Sequence, residues 1–301
     1  MPAVQTLNCN EGFLGFPEPE LAHIENTKVV IQQCPYEHTS SYVKGSSAGP
    51  SAIINASHFV EFYDEELEIE TYKTIGGVCS LEPLNFTGLV DSDAIDFIEQ
   101  TTLNLIKKEK FIVSLGAEHT VTAGLVSAFS KTHKNVSVLQ IDAHSDLRDS
   151  YEGNPYSHAS VMARIHEMGL PIVQVGVRAQ CKEEADLIKK SAQIHTVYAH
   201  QINEDNSWMD QAIDALSDEV YLTIDTDGLD PSIAPAVGTP EPGGLSWNQL
   251  CTLIKKLASR KKIISFDIVE LAPRKGDILT QYTMAKLCYK ILGYLSTNKQ
   301  I

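Results

Sequence analysis

The feature that most limits what this sequence can fold into is an alternation that starts near residue 90. Short apolar runs are each followed by an amphipathic stretch of helical period. The runs are FIVSLG at 111–116, VSVLQID at 136–142, IVQVGV at 172–177, VYLTID at 220–225 and IISFDIV at 263–269. They are rich in Val, Ile and Leu and lack a strict polar alternation, which marks strands buried on both faces. Helical candidates fill the gaps: AIDFIEQTTLNLIKKEK after the capping residues Asp91, Ser92 and Asp93, then VTAGLVSAFSKTH, ASVMARIHEM, EEADLIKKS, MDQAIDALS, WNQLCTLIKKLAS and TMAKLCYKILGYL. Strands and helices in this rhythm predict βαβ crossovers, a mainly parallel sheet and helices on both faces. Upstream, KVVIQQC at 28–34 reads as a further strand, and a long loop leads into a helix near Pro50.

With 301 residues and 43% apolar content, the chain can bury one large α/β core. No linker or repeat divides it, so the reading is a single domain over 1–301, with 1–28 as an N-terminal extension. The balance of 24 basic and 39 acidic residues, a net charge of −15, argues against a nucleic-acid partner and against an anionic membrane face. No apolar run approaches a membrane span, and the N-terminus carries neither a basic nor an apolar targeting region. Six scattered cysteines with no C-x-x-C pair suit reduced thiols, so the expected compartment is the cytoplasm.

Position makes the polar residues informative. Four clusters of metal-capable side chains follow four of the apolar runs. GAEHT places His119 after 111–116. IDAHSDLRD places Asp142, His144 and Asp146. TIDTDGLDP places Asp225, Asp227 and Asp230, and FDIVELAP places Asp267 and Glu270. In an open parallel sheet, ligands gather beyond the carboxyl ends of the strands, so these segments converge on one crevice.

Side chains i, i+2 and i+4 of an extended segment share a face, which D-x-H-x-D satisfies and D-x-D repeats. One D-x-D alone is ordinarily a solvated loop. Two imidazoles and four carboxylates are too many ligands for one ion, and such carboxylates would repel one another unless divalent cations compensated them. The set therefore implies two metal ions, with Asp142 and Asp225 bridging. Mixed carboxylate and imidazole ligation suits Mn2+, with Zn2+, Co2+ and Ni2+ as alternatives. Two ions about 3.5–4 Å apart would share a water and lower its pKa, which points to hydrolysis at an electron-poor carbon.

YSHASVMARI places His158 just ahead of a helix. Alone, such a histidine is a capping or packing residue; beside a metal cluster it becomes a candidate proton carrier. Glu270 has no basic neighbour until Arg274 and reads as a counter-ion for a cationic substrate group.

With GAEH, DAHSD, the YSHA segment, TIDTDGLDPSIAPAVGTPEPGGLS and FDIVELAP in hand, the chain resembles the ureohydrolase family from about residue 30 to about residue 295, most closely its agmatinase branch. LRDSYEGNPYSHAS and PYEHTSSYVKGSSAGPSAI carry the likeness to that branch. The resemblance implies a three-layer α/β/α fold with a mainly parallel central sheet. It implies two Mn2+ ions, or Ni2+ or Co2+, one held by His119 and Asp146 and the other by His144 and Asp227, with Asp142 and Asp225 shared. It further implies His158 as proton carrier, Glu270 as guanidinium partner, and a homotrimer or homohexamer. One departure is Ala117, which stands where the family has glycine and restricts the backbone before His119. Asp149 and Asp230 are taken as turn or ligand-orienting groups.

The expected reaction is hydrolysis of a small cationic guanidino compound to urea and an amine, foremost agmatine to putrescine. Arginine is disfavoured because nothing in 147–158 is seen to grip its α-carboxylate. Glu183 and Glu184 are candidates to attract a distal amine, although as helix charges they are ordinarily exposed. Aminopropylagmatine, guanidinobutyrate, free guanidine and a non-catalytic metal-binding relative are the alternatives.

Overall fold

A computed structural model describes residues 5–202 and 207–301. In chain order the elements are β1 (Val29–Cys34), α1 (Gly49–Ser57), a small hairpin of β2 (Tyr63–Asp64) and β3 (Ile69–Glu70), α2 (Thr71–Thr74) and β4 (Val78–Ser80). Next come α3 (Asp91–Ile106), β5 (Phe111–Gly116), α4 (Val121–Ser130), β6 (Val136–Ile141), α5 (Val161–Glu167) and β7 (Ile172–Val177). The chain closes with α6 (Lys182–Lys190), β8 (Ile194–Tyr198), α7 (Ser207–Asp214), β9 (Glu219–Asp225), α8 (Trp247–Arg260), β10 (Lys262–Val269) and α9 (Leu279–Thr297).

Eight strands form one sheet in the order β4-β1-β5-β10-β9-β6-β7-β8. Every pairing in it is parallel. The expected three-layer α/β/α architecture is therefore what the chain adopts. Alternate strand residues feed two buried apolar clusters. Ile31, Val113, Ile141, Ile224 and Ile268 pack with α1, α7, α8 and α9 on one face. Val30, Ile112, Val138, Tyr221 and Ile264 pack with α3, α4 and α5 on the other. Strands covered on both sides need no polar alternation, which is why their sequences are nearly continuous apolar runs.

The topology places the site. After β5 the chain skips two strand positions to build β6, β7 and β8, then returns to lay β9 and β10 in the gap. The four strands that precede the polar clusters thus become the four central neighbours, β5-β10-β9-β6. Where the winding direction reverses, loops part to either side and leave a crevice at the carboxyl edge.

Local departures are few. The cap expected from Asp91 to Asp93 is not one: Val90 is the N-cap, and Asp91 and Asp93 lie in the first turn of α3, where their charge favours the helix N-terminus. The short strands β4 and β8 were absent from the sequence reading. Among the described residues no helix is long and apolar enough to cross a membrane.

Candidate metal centre and active-site cleft

Each cluster reaches the crevice through its own backbone device. β5 ends at Gly116, and a turn through Ala117 and Glu118 delivers His119, which is buried, at the mouth of α4. Ala117 keeps an ordinary negative φ, its N–H donates to Cys34 O at 2.9 Å, and its carbonyl accepts the Glu270 N–H at 2.7 Å. The substitution for glycine is thus accommodated without strain.

Asp142, His144 and Asp146 lie beyond the last residue of β6 rather than on it. D-x-H-x-D thus gathers its side chains through a turn and not, as expected, by strand alternation. The segment turns inward, with Asp146 at φ 53°. Asp142 Oδ1 accepts the His144 N–H at 2.6 Å and its Oδ2 accepts from Gln140 Nε2 at 2.7 Å. Asp225 ends β9, and its carboxylate accepts the Asp227 N–H at 2.9 Å, winding the next residues into a short 3-10 turn. Asp227 then accepts the Ala143 N–H at 3.1 Å, tying the two loops together. Gly228 is required there, because a Cβ would lie 2.9 Å from Asp142 N.

These devices bring the donor atoms together. His119 Nδ1 lies 3.1 Å from Asp142 Oδ2, 3.1 Å from Asp146 Oδ2 and 3.3 Å from Asp225 Oδ2. His144 Nδ1 lies 3.1 Å from Asp227 Oδ2 and 3.7 Å from Asp142 Oδ1. Among the described residues, two groups could hold a metal ion, His119-Asp142-Asp225 and Asp142-His144-Asp227; Asp142 belongs to both, whereas Asp225, expected to be shared, belongs to the first alone.

The donor set fits divalent cations. His119 Nδ1 is buried with no hydrogen-bond partner, although three carboxylates face it. Its Nε2 is 2.9 Å from Thr223 Oγ1, whose own proton goes to Asp267 Oδ1 at 2.6 Å. The hydroxyl can therefore only accept from the ring, which fixes the proton on Nε2 and leaves the Nδ1 lone pair for a cation. Charge argues the same way. Burial, then the charges of Asp227 and Asp142, push Asp225 well above the carboxylate range. Burial and Asp142 lift Asp146 to about 7. Against its own burial, Asp142 is held low by His119 and His144, and His144 is raised to about 12 by Asp227 and Asp142. Buried carboxylates crowded against one another and around two imidazoles make a cluster short of positive charge, which divalent ions would supply.

Glu270 follows β10 with φ 64°, and its Oε1 accepts the His119 N–H at 2.7 Å. Burial, then Glu118, raise its pKa well above the usual value. Asp146 and Glu270 are thus both left-handed non-glycine residues in the cluster, backbone strain of the kind functional sites retain. His158 opens the short 3-10 turn before α5. Burial and the His144 and His119 imidazoles push it down to about 4. A cleft of about 170 Å3 is lined by His144, Asp146, His158, Asp225 and Glu270 together with Ser41, Arg148, Tyr151 and Thr239.

Several residues fall elsewhere than expected. Asp267 lies inside β10, buried beneath the cluster, accepting from Thr223, Tyr221 OH at 2.7 Å and Thr122 at 3.0 Å. Asp230 is a turn residue that accepts the N–H groups of Ser232, Gly243 and Gly244, whereas Asp149 pairs with Arg164 at the surface. Glu184 is buried and closes a capping box on α6 while accepting the Leu147 N–H at 2.9 Å, so it does not face a substrate. Glu183 is exposed and lies outside the cleft lining. Arg148, passed over in the sequence, lines the cleft. Its guanidinium sits 5.3 Å from the centre of the Tyr151 ring, and Nε is 4.0 Å from Glu184.

Comparison with known proteins finds likeness over most of the chain. The arginase family model matches residues 27–293. The N(1)-aminopropylagmatine ureohydrolase of Synechocystis sp. is 39% identical over 278 residues, covering 90% of each chain. The agmatinase of Pyrococcus horikoshii is 33% identical over 274 residues, covering 90% of this chain and 93% of that one. The crystal structure of the agmatine ureohydrolase of Thermoplasma volcanium superposes with a TM-score of 0.77 at 28% identity, covering 98% and 95%.

Proposed function

We propose, because this chain belongs to the arginase family, that its cleft hydrolyses an aminoalkylguanidine to urea and an amine, with agmatine to putrescine as the leading reaction. The observation that carries the reading is Asp142, one carboxylate shared by two metal-capable groups in the cleft that His158 and Glu270 also line.

His119, Asp146 and Asp225 would help to hold one divalent ion and His144 and Asp227 the other, with Asp142 common to both groups; Mn2+ is the first choice for such donors. Bound there, the ions would lower the pKa of a water towards neutrality, the chemistry that attack on a guanidinium carbon needs. Glu270 keeps one carboxylate oxygen on the His119 N–H and offers the other to the guanidinium. His158, whose burial holds the ring towards its neutral form, would take a proton from the attacking water and release it to the departing amine nitrogen. The protein is expected to act in the cytoplasm as a homotrimer or homohexamer.

The amine end is open to two readings beyond agmatine. The name of the Synechocystis relative favours the aminopropyl derivative. Arg148 on the cleft wall favours a guanidino acid such as guanidinobutyrate or arginine, although Tyr151 and Glu184 already engage its charge. The test is urea release by the Mn2+-loaded protein offered agmatine, aminopropylagmatine, guanidinobutyrate, arginine and guanidine side by side. Preference for either amine supports the reading. Preference for a guanidino acid moves the substrate to the Arg148 reading. Silence on all five, repeated with Ni2+ and Co2+, overturns the hydrolase.

A further inference from the structure

We propose that Thr39 is a positioning residue for His158, its hydroxyl gripping the imidazole while the buried Glu118 fixes Thr39 in place. The inference rests on the reading of His158 as proton carrier and extends it to a segment with no assigned role.

The chain between β1 and α1 crosses the carboxyl edge of the sheet as a tied loop. Glu118, wholly buried, accepts the N–H groups of His38 at 3.0 Å and Thr39 at 2.7 Å on a single oxygen, Oε2. Glu37 closes the same loop by accepting the N–H groups of Gly45 at 2.7 Å and Ser47 at 3.0 Å. So held, Thr39 presents Oγ1 to His158 twice: it accepts the His158 backbone N–H at 3.0 Å and lies 3.0 Å from the ring Nδ1. Ser41, two residues on, reaches His158 Nε2 at 3.5 Å and lines the cleft.

A hydroxyl suits this position because of its valence. One lone pair of Thr39 is taken by the backbone N–H, leaving one proton and one lone pair. The remaining lone pair accepts from Nδ1–H, which fixes the neutral ring's proton on Nδ1 and leaves the lone pair on Nε2, the nitrogen beside Ser41. Nδ1 stays protonated and held by Thr39 in both charge states, so the imidazole gains and loses its second proton at Nε2 without turning. Tyr151 meets the ring edge-on with centroids 5.9 Å apart, but it has no hold on Nδ1. Without Thr39, the remaining contact at Nδ1 is Ser157 Oγ at 3.4 Å, and that hydroxyl already accepts the Ala159 N–H.

The test compares Thr39→Val, Thr39→Ser, His158→Ala and the double variant Thr39→Val/His158→Ala in the metal-loaded protein, reading kcat and KM for agmatine, or for whichever guanidine is turned over best, with bound metal per chain. Valine keeps the shape of threonine and removes the hydroxyl. We expect Thr39→Val to lose kcat by roughly 10–100-fold with KM little changed, as misorientation of a catalytic group does. Bound metal should be unaltered, Thr39→Ser should recover most of the rate, and the double variant should be no slower than His158→Ala. A wild-type kcat for Thr39→Val in a protein slowed by His158→Ala overturns the proposal and spares the role of His158. A Thr39→Val loss of the same size in both backgrounds also overturns it, because Thr39 would then act elsewhere. A wild-type kcat for His158→Ala overturns both readings.

Discussion

At the scale of the residue, the site is a set of donors whose protons have been assigned before any ligand arrives. His119 shows this best. Its orphaned Nδ1 faces three carboxylates while Nε2 is spent on Thr223, which is itself committed to the buried Asp267. Removing that second contact should cost affinity without removing a ligand. Thr223→Val is expected to weaken divalent binding by roughly 10–100-fold, the usual range for partners behind a metal-binding histidine, as read by equilibrium dialysis. Unchanged affinity would mean that ring packing alone orients His119. The six expected metal ligands and Glu270 were legible because motif and strand end coincide, and His158, ahead of a helix, because its segment stands beside that cluster in the sequence. Thr39, Thr223 and Arg148 were not, since a threonine or arginine acquires its role only from what the fold sets against it. Glu184 misled for the mirror reason: its charge suggested a substrate, and the capping box that uses it is invisible without the helix start.

At the scale of the element, apolar runs bounded by turns located the six long strands to within a residue or two, because burial on both faces writes an unbroken signal. β4 has three residues and β8 carries an exposed His195, so neither offered such a run. The hairpin of β2 and β3 was equally illegible, as its anchor is a pairing across more than 200 residues. Lys290 on α9 lies 2.8 Å from Asp64 and 2.7 Å from Glu66, and Glu66 also meets Lys255 of α8 at 2.7 Å. Against some burial, Lys255, Lys290 and Tyr294 hold the Glu66 carboxyl down to about 2, from an ordinary 4.5. A carboxylate whose folded pKa is depressed stabilises the protein above its unfolded pKa and loses that contribution as pH falls towards the folded value. Glu66→Gln should therefore lower the thermal midpoint at pH 7, and its gap from wild type should narrow as pH falls from about 4.5 towards 2. A gap that widened on acidification would contradict the ion-pair account.

At the scale of the whole molecule, function follows from the order in which strands are laid down. Had β9 and β10 been added at an edge, their acidic loops would lie far from those of β5 and β6. Inserted between them, they bring four distant stretches of sequence within hydrogen-bonding reach, and Asp227 bonds to Ala143 across the join. The sequence announced convergence only through the rule that strand ends gather ligands. The strand order came from the structure. Asp142 joins the two metal-capable groups, and the most direct measurement is bound Mn2+ per chain for the wild type and Asp142→Ala, each followed by its rate of urea release. Two ions per chain in the wild type, and loss of both metal and activity in the variant, are the predicted result. A variant that kept its metal and its full activity would contradict the shared-carboxylate centre.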